Sequence, residues 1–253
     1  MNNLLSTIKI SIVIPVLNEI ENVETLSFEI SKALINCKSY EIIFVDDGSS
    51  DGTKNKIIDL SNKLPQIRLI VHDKCYGQSA AMRSGILQSN YNLIGTLDGD
   101  GQNDPNDLVS LINDYLKSNN KLCLIAGIRK KRKDSLNKRI ASKIAMYFRF
   151  IILGDKHPDS GCGIRVFDKE LFLMMPYFNH MHRFFPVLAS WQDAKIIGSL
   201  VNHRERIKGH SKYNNFRRAI QGLVDLIGVV WLLRRTPKNF SSHEQELNIK
   251  GKK

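Results

Sequence analysis

The stretch Leu93–Gln102, LIGTLDGDGQ, decides how this chain is read. Its first half is a short apolar run, which fits a buried strand bounded by turn residues. Its second half sets Asp98 and Asp100 two positions apart on a glycine-rich turn. In an open α/β sheet, ligands bind outside the carboxyl ends of the strands. Two hard oxygen donors in such a cleft suit Mg²⁺ or Mn²⁺, which keep further coordination positions for substrate phosphates. The plainer reading is a polar turn before the helix that Pro105 starts, because Asp and Gly are ordinary turn residues.

Upstream, strands and helices alternate. Lys9 to Leu17 (KISIVIPVL) is a β-rich run that stops at Asn18-Glu19. Val23, Leu26, Ile30, Ala33 and Leu34 then recur at helical spacing within Glu21 to Cys37. Tyr40 to Val45 is a second strand that runs into Asp46, Asp47, Gly48, Ser49, Ser50, Asp51, Gly52 and Thr53. That turn can cap a helix over about Thr53 to Lys63. Ile67 to His72 is a third strand, and Gly77 to Gln88 a helix rich in small residues. The alternation predicts an α/β chain with a mostly parallel, doubly wound sheet. Asp46-Asp47 and Asp98-Asp100 then lie along one edge of that sheet and form one site. No GxGxxG follows the first strand, which speaks against a dinucleotide-binding oxidoreductase.

A chain of 253 residues can bury a substantial core in one domain with a small appendage. Lys and Arg outnumber Asp and Glu 37 to 25, a balance that favours anionic partners. Cys37, Cys75, Cys123 and Cys162 are widely spaced without a CxxC pair, which argues against a zinc site and fits reduced thiols. The N-terminal MNNLLSTIKI lacks the charged-then-apolar order of a signal peptide. No apolar run approaches the ~18–20 residues of a spanning helix, so a soluble or peripheral protein is expected.

Four segments, IPVLNEIENV, VDDGSSDGT, GQSAAMRSGI and LDGDGQNDP, together resemble the nucleotide-sugar domain of family 2 glycosyltransferases, which have the GT-A fold. The resemblance implies a donor half over about 9–127. In it Pro15 and Glu19 line the base and ribose pocket, and Asp46 or Asp47 reads the base or ribose. Asp98 and Asp100 match the family's Asp-X-Asp, and Gln102 completes the DxDxQ of the polyprenyl-phosphate branch. These three would hold Mg²⁺ or Mn²⁺ against the donor diphosphate. Pro15 serves equally well as a strand terminator, and Asp51 with Thr53 reads as a helix cap.

After a fifth strand, Leu122 to Ala126, the composition turns basic. Arg129, Lys130, Lys131, Arg132, Lys133, Lys138, Arg139, Lys143 and Arg149 are opposed only by Asp134. Apolar residues interleave from Ile140 to Leu153, giving a basic amphipathic helix. It binds a membrane surface or covers the sheet as a solvated charged helix. Without a recognised motif or stacking platform, nucleic acid is not an expected partner. This half, about 128–214, is similar to dolichol-phosphate mannose synthases and their bacterial polyprenyl-phosphate relatives. The similarity implies that Arg129, Arg139 and Ser142 hold an acceptor phosphate.

Asp159 to Asp168 (DSGCGIRVFD) resembles the family's loop and strand beside the reaction centre, with Ser160 and Arg165 as its polar members. Cys162 there reads as structural, since no base is evident nearby. His182 reads as a satisfied histidine near a helix start, with a general base as the rival. RIKGHSKY matches the family's R-x-x-G-x-S-K-Y segment, so Arg206 and Lys212 are implied to close over the donor diphosphate. Together with Asp100 they are the catalytic candidates.

Asn215 to Arg235 is expected to form a C-terminal helix around the run LVDLIGVVWLL, too short to span a bilayer. It lies at the membrane interface or packs against the catalytic domain or a partner protein. The expected organisation is a GT-A domain over 1–214, this helix over 215–235, and a polar, disordered tail over 236–253. The implied reaction is inverting sugar transfer from a nucleotide-sugar to a polyprenyl (dolichyl or undecaprenyl) phosphate. It would run peripherally at the cytoplasmic face of a membrane, with an anionic surface as partner. A saccharide or glycolipid acceptor, which needs a base near Asp159, is the rival. A non-catalytic membrane-associated subunit is the reading outside enzymes.

Overall fold

The computed structural model describes residues 4–119, 122–130, 149–204 and 215–238. Apolar, β-branched runs make the strands β1 (Lys9–Val16), β2 (Ser39–Asp46), β3 (Ile67–Val71), β4 (Leu93–Thr96), β5 (Cys123–Arg129), β6 (Arg165–Asp168) and β7 (Lys195–Val201). They form one seven-stranded sheet in the order β3-β2-β1-β4-β6-β5-β7. Every pairing is parallel except those of β6, which runs antiparallel to β4 and β5. The mostly parallel α/β sheet expected from the alternation is therefore the sheet the chain forms.

The helices are α1 (Val23–Ala33), α2 (Thr53–Ser61), α3 (Gln78–Leu87), α4 (Asp107–Ser118), α5 (Lys169–Met174), α6 (Phe185–Trp191) and α7 (Asn215–Arg235). Because side chains alternate across a strand, the sheet feeds two apolar layers. Ile10, Ile12, Ile14, Ile42 and Phe44 face α1, α2 and α4. Val13, Ile43, Val45 and Ile94 face α3, α5, α6 and α7. Burial on both faces is why the first two strands read as continuous apolar runs.

After β3 the chain crosses back and lays β4 on the other side of β1. The β1–β4 junction is thus the topological switch point, and a crevice opens beyond the carboxyl ends of these strands. The acidic turns after β2 and β4 flank it along the same edge, as the sequence order requires.

Some boundaries differ from expectation. The first helix is Val23–Ala33, shorter than Glu21 to Cys37. The fifth strand runs on to Arg129 and carries that residue at its end. Strand β7 escapes sequence reading because it is an edge strand of mixed exposure without clean alternation. Helix α7 packs through Leu226 and Val229, while Val224, Ile227 and Trp231 stand exposed. Asp225 interrupts its apolar run because it meets His180 Nδ1 at 3.1 Å and Arg183 at 3.6 Å. Among the described residues, no helix is long and apolar enough to cross a membrane.

Candidate active site

The acidic turn is built tightly against the end of β1. A Cβ at position 99 would lie 2.9 Å from the Pro15 carbonyl and 2.7 Å from Val16 Cγ1, so only glycine fits there. Gly101 takes φ +72°, open to glycine at no steric cost. The turn closes on itself: the Asp98 amide donates to Asn103 Oδ1 at 3.0 Å, and the Gln102 amide to Asp100 Oδ1 at 3.1 Å. Both carboxylates remain half-buried at the crevice.

Asp98 is held from two sides. Gln78, the first residue of α3, donates its Nε2 to Asp98 Oδ1 at 2.9 Å. On the other side the carboxylate lies against Gly163, whose carbonyl accepts from Thr96 Oγ1 at 2.7 Å. Burial, then the like charge of Asp100, push the Asp98 carboxyl up to about 6. Arg165 and Arg129 oppose that rise, as does the Gln78 hydrogen bond.

Gly163 ends a loop that three arginines hold. Arg129, at the end of β5, makes a two-pronged contact with Asp159, Nε to Oδ2 at 2.7 Å and Nη2 to Oδ1 at 2.5 Å. Arg149 pairs with buried Asp155, which also accepts from Ser160 Oγ at 2.9 Å. Arg165, buried at the start of β6, donates to the carbonyls of Ser160 and His182, each at 3.1 Å. The planar guanidinium fork suits this work, satisfying carboxylate and carbonyl oxygens in fixed geometry. Cys162 sits buried inside the loop, its thiol pushed up to about 11 by burial. A nucleophile needs the opposite shift.

The turn after β2 is also internally committed. Asp46 Oδ1 accepts from the Ser49 amide at 2.8 Å. Asp47 accepts from His72 Nδ1 (2.7 Å), the Tyr76 amide (2.9 Å), the Gly77 amide (2.7 Å) and Cys75 Sγ (3.1 Å). A carboxylate offers about four acceptor positions, so the chain itself takes up the capacity of Asp47. Burial pushes this carboxyl up, but the four donors outweigh it and hold it below its ordinary value. Asp47 thus organises the 72–77 loop, which leads into Gln78. Glu19 Oε2 accepts from Asn22 Nδ2 at 2.7 Å, and Pro15 lies half-buried beside the Gly99 turn. Asp51 accepts from the amide and hydroxyl of Thr53, forming the entry turn of α2.

The segment after β7 is stapled alongside the acidic turn. The Arg204 amide donates to the Gln102 carbonyl at 2.9 Å, and Asn103 bridges His203. The Asn202 amide donates to Asp107 Oδ2 at 2.7 Å, and Arg204 pairs with Glu29 and Asp104. Arg204 thus sits beside Gln102. Arg206, Lys212, Arg139 and Ser142 lie outside the described residues, as does most of the basic amphipathic stretch. His182 Nδ1 and the buried Ser79 Oγ share a hydrogen bond at 2.8 Å, the satisfied arrangement.

Among the described residues, no group of three or more His, Cys, Asp or Glu could hold a metal ion. A cation that keeps water and phosphate ligands needs only one or two protein carboxylates. Asp98 and Asp100 meet that requirement. Their mutual repulsion, visible in the raised Asp98, is what a divalent cation would relieve. Gln78 and Arg204 both bond the acidic turn, and sequence reading passes over them. Gln78 lies in the matched GQSAAMRSGI segment but carries no charge to mark it. Arg204 is two residues outside the matched RIKGHSKY.

Residues 11–173 match the family described as Glycosyl transferase family 2. The chain is 33% identical over 238 residues to dodecaprenyl-phosphate galacturonate synthase of Rhizobium johnstonii, covering 92% of this chain and 70% of that protein. Among solved structures, mannosyl-3-phosphoglycerate synthase from Rubrobacter xylanophilus superposes with a TM-score of 0.69 at 15% identity, over 92% of this chain and 77% of that one. Glucosyl-3-phosphoglycerate synthase from Mycobacterium tuberculosis, in complex with Mn²⁺, UDP-glucose and glycerol 3-phosphate, gives 0.63 at 17% identity, over 87% and 80%. At these identities the structural likeness establishes the GT-A fold.

Proposed function

The chain belongs to glycosyl transferase family 2, and from that premise we propose that it transfers a sugar from a nucleotide-sugar to a polyprenyl phosphate, with inversion and with Mg²⁺ or Mn²⁺ as cofactor. The observation that carries the acceptor class is the similarity, over nearly the whole chain, to dodecaprenyl-phosphate galacturonate synthase. The geometry supports it: a carboxylate pair and an arginine-rich loop meet at one switch-point crevice.

In this reaction an acceptor phosphate oxygen forms the new bond to the anomeric carbon. The bond from that carbon to the donor diphosphate breaks, and the nucleoside diphosphate leaves with the electron pair. The acceptor phosphate is already anionic near pH 7, so no strong general base is required. That fits a site whose nearest base candidates are committed, Asp159 to Arg129 and His182 to Ser79. When bound, a divalent cation supplies charge to the departing diphosphate. Asp98, Asp100 and Gln102 are the residues proposed to hold it. Arg206 and Lys212 are proposed to add cationic charge there and exclude water. Pro15, Glu19 and Asp46 are proposed to line the nucleoside pocket, with Asp47 behind them shaping its floor. Arg129, Arg139 and Ser142 are proposed to receive the acceptor phosphate, which competes with Asp159 for the Arg129 fork.

The lipid acceptor calls for a membrane surface, and we propose peripheral attachment at the cytoplasmic face. The basic composition of the stretch 129–149 and the exposed side of α7 are the features suited to it. The test is transfer of labelled sugar from a panel of nucleotide-sugars into an organic-extractable product. It uses purified protein, undecaprenyl phosphate and Mn²⁺ or Mg²⁺. Label in the organic phase, lost on chelation, supports the proposal. Donor hydrolysis without lipid product overturns the acceptor assignment.

A further inference from the structure

We infer that Gln78 is a positioning residue for the Asp98 carboxylate, set in place by Asp47. The inference rests on the reading of Asp98 and Asp100 as the cation-holding pair. It adds a residue outside that pair and assigns Asp47 a structural purpose in the site.

The connection runs through continuous contacts. Buried Asp47 gathers His72, Cys75, Tyr76 and Gly77 around one carboxylate. The loop it holds lies directly over the β2 turn: a Cβ at position 48 would sit 2.8 Å from the Lys74 carbonyl carbon. Gly77 ends this loop at φ +94°, a backbone conformation that favours glycine, and its carbonyl accepts the amides of Ala80 and Ala81. The start of α3 is fixed a second time by buried Ser79, which bonds the His182 ring. Gln78 stands between these two anchors, and its amide nitrogen reaches Asp98 Oδ1.

The residue type is informative. The sp³–sp² torsion of an aspartate is broad, so a carboxylate with one face on Gly163 still swings unless something holds an oxygen. A neutral amide holds it without cancelling its charge. Lysine would donate the same hydrogen bond but would place a positive charge about 3 Å from the oxygen, opposing a divalent cation. Gln78 is itself exposed, so it has no core to support and its packing role is small.

The test measures Mn²⁺ binding to the full chain by electron paramagnetic resonance, with thermal melts alongside. Asp98→Asn removes binding if the carboxylate pair holds the cation. Gln78→Leu is expected to weaken Mn²⁺ about tenfold, the usual scale for loss of an outer-shell partner, with no change in melting temperature. Gln78→Lys is expected to weaken it further, despite keeping a donor. Asp47→Asn should also weaken Mn²⁺, and Gln78→Leu in that background should add little, because both act through the same bond. Wild-type affinity in both Gln78 variants, with Asp98→Asn inactive in binding, overturns the positioning role and leaves the carboxylate pair standing. Wild-type affinity in Asp98→Asn overturns the pair, and the inference with it.

Discussion

Asp98 and Gly163 share a space that only glycine leaves open: a Cβ at position 163 would lie 2.1 Å from Asp98 Oδ2 and 2.4 Å from Oδ1. Residues 65 positions apart are thus fitted to each other, one on the turn after β4 and the other leading into β6. Gly163→Ala must displace the carboxylate, since no real Cβ tolerates such a contact. Sugar transfer is expected to fall by about two orders of magnitude, on the scale of a misplaced catalytic group. A melt and a transfer assay on the same preparation check this. Activity near the wild type would mean that Asp98 takes no part in the site.

The raised Asp98 carboxyl gives a pH dependence with a definite sign. Its value of about 6 lies above the ordinary 3.8, so the folded protein favours the protonated acid. The Asp98 contribution to the stability of the metal-free protein should therefore be greatest at the acid end and be lost as pH rises from about 4 through about 6, opposite in sign to carboxyls such as Asp47 and Glu41 that folding holds below their ordinary values. Cation binding needs the ionised form, so Mn²⁺ affinity should move the opposite way, weak below pH 6 and levelling off above it. Metal-free melts of the wild type and Asp98→Asn test the first direction, and Mn²⁺ titrations of the wild type at several pH values test the second. In Asp98→Asn, which should not bind Mn²⁺, the Asp98 contribution to the pH dependence of the metal-free melt should disappear.

The family resemblance implies an acceptor role for Arg129, and the structure shows it holding Asp159. Both side chains are largely buried. Removing one partner of such a pair leaves an uncompensated charge, which costs on the order of 3–5 kcal/mol. Arg129→Ala is therefore expected to lower the denaturation midpoint strongly. Arg129→Lys, which keeps the charge but loses the fork, should fall between. A chemical denaturation series on the two variants provides the measurement. Equal stability of Arg129→Ala and wild type would mean that the pair contributes nothing to the loop.

Cys162 makes the complementary case. Its thiol is buried, with a value of about 11, and Gly127 packs so closely that a Cβ there would come within 2.8 Å of Sγ. Cys162→Ala should keep transfer activity and lose on the order of 1 kcal/mol of stability from the lost packing. Asp100→Ala, by contrast, should abolish transfer while folding normally. Loss of activity in the cysteine variant, with its melt intact, would make Cys162 a participant in the chemistry.

What the sequence disclosed, and what it hid, follows from range. The turns after β2 and β4 were legible because apolar runs end abruptly in Asp and Gly, and a parallel sheet puts such ends on one edge. The commitment of Asp47 to the 72–77 loop was not legible, because its partners include backbone amides, which leave no mark in composition. Nor was the pairing of Arg129 with Asp159, which joins residues 30 apart through the antiparallel insertion of β6. Strand β7 lacks the alternation that marks a strand, so neither it nor the staple of Arg204 to Gln102 is legible in the sequence.

Helix α7 carries the last expectation. Leu226 and Val229 are buried against the domain, and Asp225 is held by His180 and Arg183. The opposite side presents Val224, Ile227 and Trp231, which are 64%, 71% and 60% exposed, so they contribute little to folding. Arg235 stands over the Trp231 ring at 5.8 Å, pairing an aromatic with a cation as at a headgroup boundary. If this side meets the bilayer, Ile227→Asp should leave the melt unchanged and reduce co-sedimentation with vesicles containing anionic lipid. Trp231 fluorescence should shift to the blue on vesicle addition in the wild type and not in Ile227→Asp. Salt should weaken attachment in both, because the basic residues of 129–149 act through screened charge. Undiminished vesicle binding by Ile227→Asp would assign attachment to the basic residues alone and leave the exposed side of α7 for a protein partner.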